Sequence, residues 1–181
     1  ANADGECSMP EPLRALGRFR HEAVAVDPKS GVLYLTEDEH DGLLYRFVPK
    51  VKGDLSAGKL QALAIQNTPG SDLRNWDQDS PGPSPVTGDS LPVEWVDLLD
   101  THAPRGDLRI RGYDNHGAER FARGEGIWAG NGSVYVACTN GGRSRIGQIW
   151  RYHPSPFEGT SQEAASPGRL ELFVESPDKL T

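Results

Sequence analysis

The sequence predicts an all-β protein, part of a β-propeller built from four-stranded antiparallel blades. Three observations support this fold class. The 21 glycines and 14 prolines make up about 19% of the 181 residues, against about 12% in average proteins, which is too many for a helical bundle. Short apolar runs are separated by turn-forming residues. The same order of strand motifs occurs twice along the chain.

The first predicted blade covers about residues 18–65. Its strands are residues 23–26, 32–36, 43–48 and 60–65; Pro49 ends the third strand, and a loop at residues 53–58 leads to the fourth. In the first turn, Asp27-Pro-Lys-Ser-Gly31, proline fixes φ and glycine accepts a positive φ. Four short antiparallel strands in about 45 residues match the size of one propeller blade.

A second predicted blade, at about residues 121–176, repeats the first. Three segments correspond in the same order, namely Gly31-Val-Leu-Tyr34 with Gly132-Ser-Val-Tyr135, Tyr45-Arg-Phe47 with Trp150-Arg-Tyr152, and Gly58-Lys-Leu60 with Gly168-Arg-Leu170. Each unit also has a glutamate just ahead of its first strand, Glu22 in one and Glu125 in the other. The agreement of all three segments indicates an internal repeat.

Residues 66–120 form a predicted insertion-containing unit between the blades, and the whole chain, 1–181, is a partial propeller domain. This unit contains a Pro/Gly/Ser-rich loop at residues 80–85, a strand at 93–98 and a short helix at 112–123 that Gly117 weakens. The unit is too long for one hairpin loop, so we expect another blade element with a surface insertion.

Composition excludes several classes of partner. The formal net charge of −7 argues against nucleic acid and against anionic membranes. No apolar run approaches the roughly 18 residues of a spanning helix, so we expect no membrane insertion, and no export signal opens the chain. The first residue is not methionine and the chain stops directly after an apparent strand, so we expect a piece of a longer protein. The two cysteines, Cys7 and Cys138, do not identify the compartment.

Acidic residues at strand ends are the main candidates for chemistry. Glu22 and Glu125 occupy equivalent strand starts and would converge toward the propeller axis. Converging carboxylates stay ionised together when cations such as calcium or iron neutralise them. The alternative, which the residues alone favour, is that each glutamate accepts backbone N–H bonds at a turn.

A second group of carboxylates follows the strand at residues 32–36. Strand alternation sends Glu37 and Asp38 to opposite faces, so at least one of them points inward. Glu39 and Asp41 are expected in a solvated turn. The spacing indicates a cation site but does not match an EF-hand loop and does not identify the metal.

Basic residues offer a way to bind an anionic substrate. Arg20, Arg123 and Arg143 are candidates for bidentate hydrogen bonds to an anion, although ordinary surface charge is the alternative for each. His21 is a metal ligand, a general base or a structural histidine bonded to a backbone carbonyl, and the last interpretation is favoured.

Other motifs have structural interpretations. Cys138 follows an alternating strand and is predicted to be a small buried side chain. Asn131-Gly-Ser133 fits a glycosylation acceptor, but Asn-Gly between strands is better explained as a tight hairpin turn. The sequence contains no G-x-S-x-G, P-loop, H-E-x-x-H or C-x-x-C motif.

Several longer motifs resemble the PhoX family of alkaline phosphatases. They are Gly17-Arg-Phe-Arg-His-Glu-Ala-Val-Ala-Val-Asp-Pro28, Tyr34-Leu-Thr-Glu-Asp38, Phe121-Ala-Arg-Gly-Glu-Gly-Ile-Trp128, Thr139-Asn-Gly-Gly142 and Gly147-Gln-Ile-Trp-Arg-Tyr152. The resemblance extends over nearly the whole chain, with the motifs in the family's order.

This resemblance implies a six-bladed β-propeller that hydrolyses small-molecule phosphate monoesters with bound iron and calcium ions. It implies export through the twin-arginine route to the periplasm or the outside of the cell, and a monomeric full-length protein. The matching motifs nominate Glu22, Glu37 and Glu125 as metal ligands, with Asp38 as a further candidate. Arg123 and Arg143 are the candidates for substrate binding.

The sequence also departs from the family pattern. The family's thiolate iron ligand lies in a Cys-Glu-Glu motif, which Gly5-Glu-Cys7-Ser8 does not match, and Cys138 lies elsewhere in the chain. We therefore expect the isolated chain to lack phosphatase activity. Two other functions remain open: a calcium-stabilised propeller that binds or scaffolds without catalysis, and a lactonase-like calcium propeller.

Overall fold

The computed structural model describes residue 5 and residues 9–76, 82–102 and 107–177. Nine strands in these ranges form one antiparallel sheet: β1 (His21–Val26), β2 (Leu33–Glu37), β3 (Leu44–Val51), β4 (Asp54–Ile65), β5 (Ser90–Asp97), β6 (Gly124–Gly130), β7 (Ser133–Cys138), β8 (Gln148–His153) and β9 (Arg169–Glu175). The same ranges contain one α-helix, α1 (Asp107–His116), and two short 3-10 helices, Arg14–Leu16 and Glu163–Ala165. No helix of the described residues is long and apolar enough to span a membrane.

The sheet consists of two four-stranded meanders, β1–β4 and β6–β9, joined by β5. Strand β5 pairs with β4 along one part of its length and with β9 at its start. At the other end of the sheet β1 lies against β6, so the sheet nearly closes on itself. A core that includes Tyr34, Trp150 and Tyr152 fills the space between the meanders. The predicted fold class is confirmed: the chain is all-β and forms part of a β-propeller.

The two meanders repeat in register. Equivalent cross-strand pairs are Tyr34–Arg46 with Tyr135–Arg151, and Phe47–Leu60 with Tyr152–Leu170. Gly58 and Gly168 serve the same purpose in the two meanders, because a Cβ on Gly58 would overlap the Phe47 ring and one on Gly168 would lie 2.7 Å from the Tyr152 ring. The segments that correspond in sequence therefore form the same cross-strand pairs in the two meanders.

Three predicted element bounds are wrong. Pro49 does not end β3, which continues to Val51, and the expected loop at residues 53–58 is mostly part of β4. The register shifts between Pro49 and Val51, and such an irregularity accommodates a residue that has no N–H to donate. The helix predicted at residues 112–123 is α1, which begins at Asp107 and ends at His116. It ends there because Gly117 adopts a φ of +73°.

Several smaller predictions can be compared with the structure. Asn131 and Gly132 have φ values of +52° and +74° between β6 and β7, so the expected tight hairpin turn is confirmed. Cys138 is buried as expected. Cys7 and part of the Pro-rich loop lie outside the described residues. The division into three units remains a prediction, although residues 66–120 do contain β5 and α1.

Candidate metal centre

Three carboxylates meet where the two meanders adjoin. Glu22 belongs to β1, Asp38 directly follows β2, and Glu125 belongs to β6. One oxygen atom from each side chain lies within 4.8 Å of the other two. Asp38 is buried, Glu125 is half-buried and Glu22 is exposed, so the group is accessible from solvent on one side.

Irregularities in the strands place the two glutamates. The register of β1 against β2 shifts between His21 and Val24, and the register of β6 against β7 shifts between Gly124 and Ile127. Glu22 and Glu125 therefore lie in corresponding bulges of the two repeats. Bulges are frequent beside functional sites because they change the direction of a side chain relative to the regular strand.

Thr36 connects these two bulges. Its hydroxyl donates to the carbonyl of Glu125 at 2.6 Å and accepts the N–H of Ala23 at 3.1 Å. The backbone of Gly124 passes so close that a Cβ there would lie 3.2 Å from the Cβ of Thr36. Glycine at position 124 thus permits β6 to approach β2 and brings Glu125 to the carboxylates of the first meander.

Two arginines partly neutralise the three carboxylates. Arg123 donates to Asp38 from Nε at 2.7 Å and from Nη2 at 3.1 Å, and the same Nη2 donates to Glu125 at 2.9 Å. Arg20 forms a longer ion pair with Asp38 at 3.6 Å and is largely exposed. The hydrogen bonds from Arg123 lower the pKa of Asp38, despite its partial desolvation. The Asp38 carboxylate therefore remains ionised at neutral pH.

Glu37 lies apart from this group. The Tyr45 hydroxyl donates to its Oε2 at 2.7 Å, as does the Leu43 N–H at 3.2 Å, while Oε1 has no hydrogen-bond partner among the described residues. Burial raises the pKa of Glu37 to about 7. Strand alternation directs Glu37 and Asp38 to different sides, and Asp38 is the one that joins Glu22 and Glu125. A ligand role for Glu37 stays a prediction.

His21 and Arg143, the other candidate residues, do not join the carboxylate group. His21 donates from Nε2 to the Gly17 carbonyl at 3.1 Å and stacks on Phe19, as its structural interpretation predicts. Arg143 is exposed on the loop between β7 and β8, where its backbone N–H donates to Glu175 at 3.3 Å. Among the described residues, the Arg143 side chain forms no ion pair with Glu22, Asp38 or Glu125. The substrate-binding role of Arg143 stays a prediction.

Asp41 lies in the predicted turn, but its side chain is half-buried and hydrogen-bonded rather than solvated. Arg109 donates to Asp41 at 2.9 Å and the Tyr113 hydroxyl donates at 3.0 Å, and both residues belong to α1. These bonds lower the pKa of Asp41 against the opposing effect of burial. Asp41 therefore attaches α1 to the loop that carries Asp38, a long-range contact that the local sequence pattern does not reveal.

The carboxylates fit a hard divalent cation. Calcium binds oxygen at about 2.3–2.6 Å, so two oxygens on the same ion lie at most about 4.6–5.2 Å apart. The three oxygens lie within 4.8 Å of one another, close to this limit, so small movements of the side chains would bring all three to one ion. All the potential metal ligands in the group are carboxylate oxygens. Burial raises the pKa of the Cys138 thiol to about 12, so this thiol remains protonated.

Comparison with known proteins identifies the family. A sequence profile of alkaline phosphatase PhoX matches residues 2–181. The chain belongs to the PhoX family. Among solved structures it is similar to Pseudomonas fluorescens PhoX in complex with vanadate, a transition state analogue, with 25% sequence identity and a TM-score of 0.60. The match covers 92% of this chain and 33% of the Pseudomonas PhoX chain. No curated protein sequence matches the chain.

Two features of this PhoX chain were not predicted from its sequence. One is the position of Arg123 between Asp38 and Glu125, which depends on a left-handed backbone with a φ of +54° that the sequence does not signal at an arginine. The other is Thr139, whose hydroxyl lies 3.4 Å from Glu125. The signal for Thr139 was present, because it opens the Thr139-Asn-Gly-Gly142 motif that resembles the PhoX family.

Proposed function

We propose that this chain contributes part of the metal centre of a phosphatase that hydrolyses phosphate monoesters. The observation that supports this proposal is the convergence of Glu22, Asp38 and Glu125, from two meanders, in a chain of the PhoX family. Following the family resemblance, the metals are iron and calcium, the substrate is a small phosphate ester, and the enzyme is exported to the periplasm or the outside of the cell.

The residues of this chain have separate tasks in the proposed site. Glu22, Asp38 and Glu125 would hold a cation, which supplies positive charge that stabilises the developing charge on phosphoryl oxygens. Arg123 holds two of these carboxylates in place, and its Nη1 has no hydrogen-bond partner among the described residues. That free N–H group is the part of Arg123 available to an anionic substrate. Arg143, on the loop between β7 and β8, is the second candidate to bind the substrate.

The test uses the polypeptide in which this chain is naturally encoded, since the chain corresponds to 33% of Pseudomonas PhoX. Purified protein is analysed for metals by mass spectrometry and assayed with p-nitrophenyl phosphate. We expect Glu125→Gln to lower both metal content and hydrolysis at least tenfold while circular dichroism is unchanged. Glu94→Gln, which removes the same charge from an exposed position on β5, is the matched control. Normal metal content in Glu125→Gln would exclude Glu125 as a ligand.

One observation favours a second function. All three side chains offer oxygen ligands, which suits calcium, and among the residues that the structure describes the group includes no thiolate for iron. This pattern fits a calcium-stabilised propeller that binds a partner without catalysis. Calcium without iron in the purified polypeptide, together with no hydrolysis of p-nitrophenyl phosphate, would support the scaffold and contradict the phosphatase.

A further inference from the structure

Arg123 is held rigidly at the carboxylate group. Its backbone N–H donates to the Glu39 carbonyl at 2.8 Å, and its carbonyl accepts the N–H of Thr139 at 3.1 Å. These two bonds stabilise a φ of +54°, a conformation that residues other than glycine rarely adopt. The guanidinium is consequently directed at Asp38 and Glu125 by the fold itself, unlike an ordinary surface arginine.

The charges around the group nearly cancel. Glu22, Asp38 and Glu125 carry three negative charges, and Arg123 and Arg20 carry two positive charges beside Asp38. Arg20 also pairs with Glu39 at 3.8 Å. A site of this kind attracts a divalent cation less strongly than three free carboxylates would, because the cation must enter beside a fixed positive charge.

We propose that Arg123 is a built-in counter-ion that weakens divalent-cation binding at this site and thereby leaves the occupied site less negative for an anionic substrate. This inference rests on the proposed metal site, but it concerns a different property, the affinity for the cation. Without Arg123, one divalent cation would be more completely neutralised by its carboxylates. With Arg123, the guanidinium charge offsets the remaining carboxylate charge beside the occupied site, which lowers its repulsion of a phosphate group.

Two opposing effects follow from removing Arg123, and their sizes decide the prediction. Loss of the guanidinium removes three hydrogen bonds to Asp38 and Glu125, which frees both carboxylates to move and weakens cation binding, but the Thr36 hydroxyl still holds the Glu125 backbone beside β2. Loss of one positive charge about 5 Å from a divalent ion strengthens binding by about three- to tenfold after screening by salt. We therefore expect tighter binding in Arg123→Gln.

The experiment is isothermal titration of the 181-residue chain with calcium chloride at low and at high ionic strength. We expect Arg123→Gln to bind calcium about three- to tenfold more tightly than the unmodified chain at low salt, with a smaller difference at high salt. Arg123→Lys, which keeps the charge, should stay close to the unmodified chain. Arg151→Gln is the control, because it removes an arginine on β8 that pairs with Glu171 on β9. It should change the calcium affinity less than twofold.

The outcomes separate the two proposals. If the unmodified chain binds calcium and folded Arg123→Gln binds it equally or more weakly, the counter-ion role is wrong while the metal site stands. If neither the unmodified chain nor Arg123→Gln binds calcium, the metal site is wrong and the counter-ion role is wrong with it. If Arg123→Gln does not fold, the test uses Arg123→Lys and the salt dependence of calcium binding instead. Calcium affinity of the unmodified chain that does not change with ionic strength would contradict the inference.

Discussion

The buried ion pair between Arg46 and Glu158 connects the two meanders, and its removal gives a sharp test of the fold. Arg46 on β3 donates to Glu158 at 2.6 Å and to Glu163 at 2.5 and 2.7 Å, and its Nε donates to Gln61 at 2.7 Å. The guanidinium also lies 4.6 Å from the centre of the Trp95 ring. Both side chains of the Arg46–Glu158 pair are 3% exposed.

The expected loss of folding free energy in Arg46→Met depends on how well the remaining partner, Glu158, is compensated. Removing one partner of a buried ion pair costs about 3–5 kcal/mol, because the other charge stays buried without compensation. Glu158 keeps hydrogen bonds from the hydroxyls of Tyr34 and Tyr152 and from the Ser155 N–H, and it can take up a proton. We therefore expect the lower end of that range, about 3 kcal/mol.

Urea unfolding followed by tryptophan fluorescence measures this cost, and a double-mutant cycle isolates the pair. Arg46→Met and Glu158→Gln should each destabilise the chain, and the double variant should lose at least about 1.5 kcal/mol less than the sum of the two. Lys59→Met is the control, because the Lys59–Asp97 pair is 70% and 50% exposed and should contribute less than about 1 kcal/mol. Additive single variants, or an Arg46→Met cost below about 1 kcal/mol, would refute the reasoning.

Two further predictions concern the core. Burial raises the pKa of Glu119 to about 8, so the folded chain binds this proton more tightly than the unfolded chain and stability falls as pH rises from the usual glutamate pKa to about 8. In urea unfolding at pH 5 to 8, Glu119→Gln should make the free energy of unfolding depend less on pH, by at most about 1.4 kcal/mol per pH unit. An unchanged dependence on pH would contradict this prediction. Gly58→Ala should cost about 1–3 kcal/mol, since its Cβ would lie 2.5 Å from the Val48 carbonyl oxygen and against Phe47; unaltered stability would show that β4 shifts freely.

Much of the fold is readable from the sequence because each blade is a local pattern. Alternating apolar residues and Gly-containing turns identify the strands, and the repeat of Tyr34 at Tyr135 identifies equivalent positions in two meanders. The repeat therefore places Glu22 and Glu125 at corresponding bulges, while their approach to each other depends on the packing of β6 against β1 and β2.

Features that depend on contacts distant in sequence were less predictable. The path of β3 through Pro49 depends on an irregular register with β4, and Asp41 is fixed by a helix that lies far away in the chain. Strand alternation alone does not tell whether Glu37 or Asp38 joins Glu22 and Glu125, because both residues lie at the end of β2. Arg123 depends on a backbone conformation that its residue type does not favour.

The most direct test of the central claim is a crystal structure of the chain grown with calcium and examined by anomalous scattering. The account predicts an ion bound by at least one oxygen from each of Glu22, Asp38 and Glu125, with Arg123 still in contact with Asp38. An ion held elsewhere, or the three carboxylates well separated with no ion between them, would contradict it.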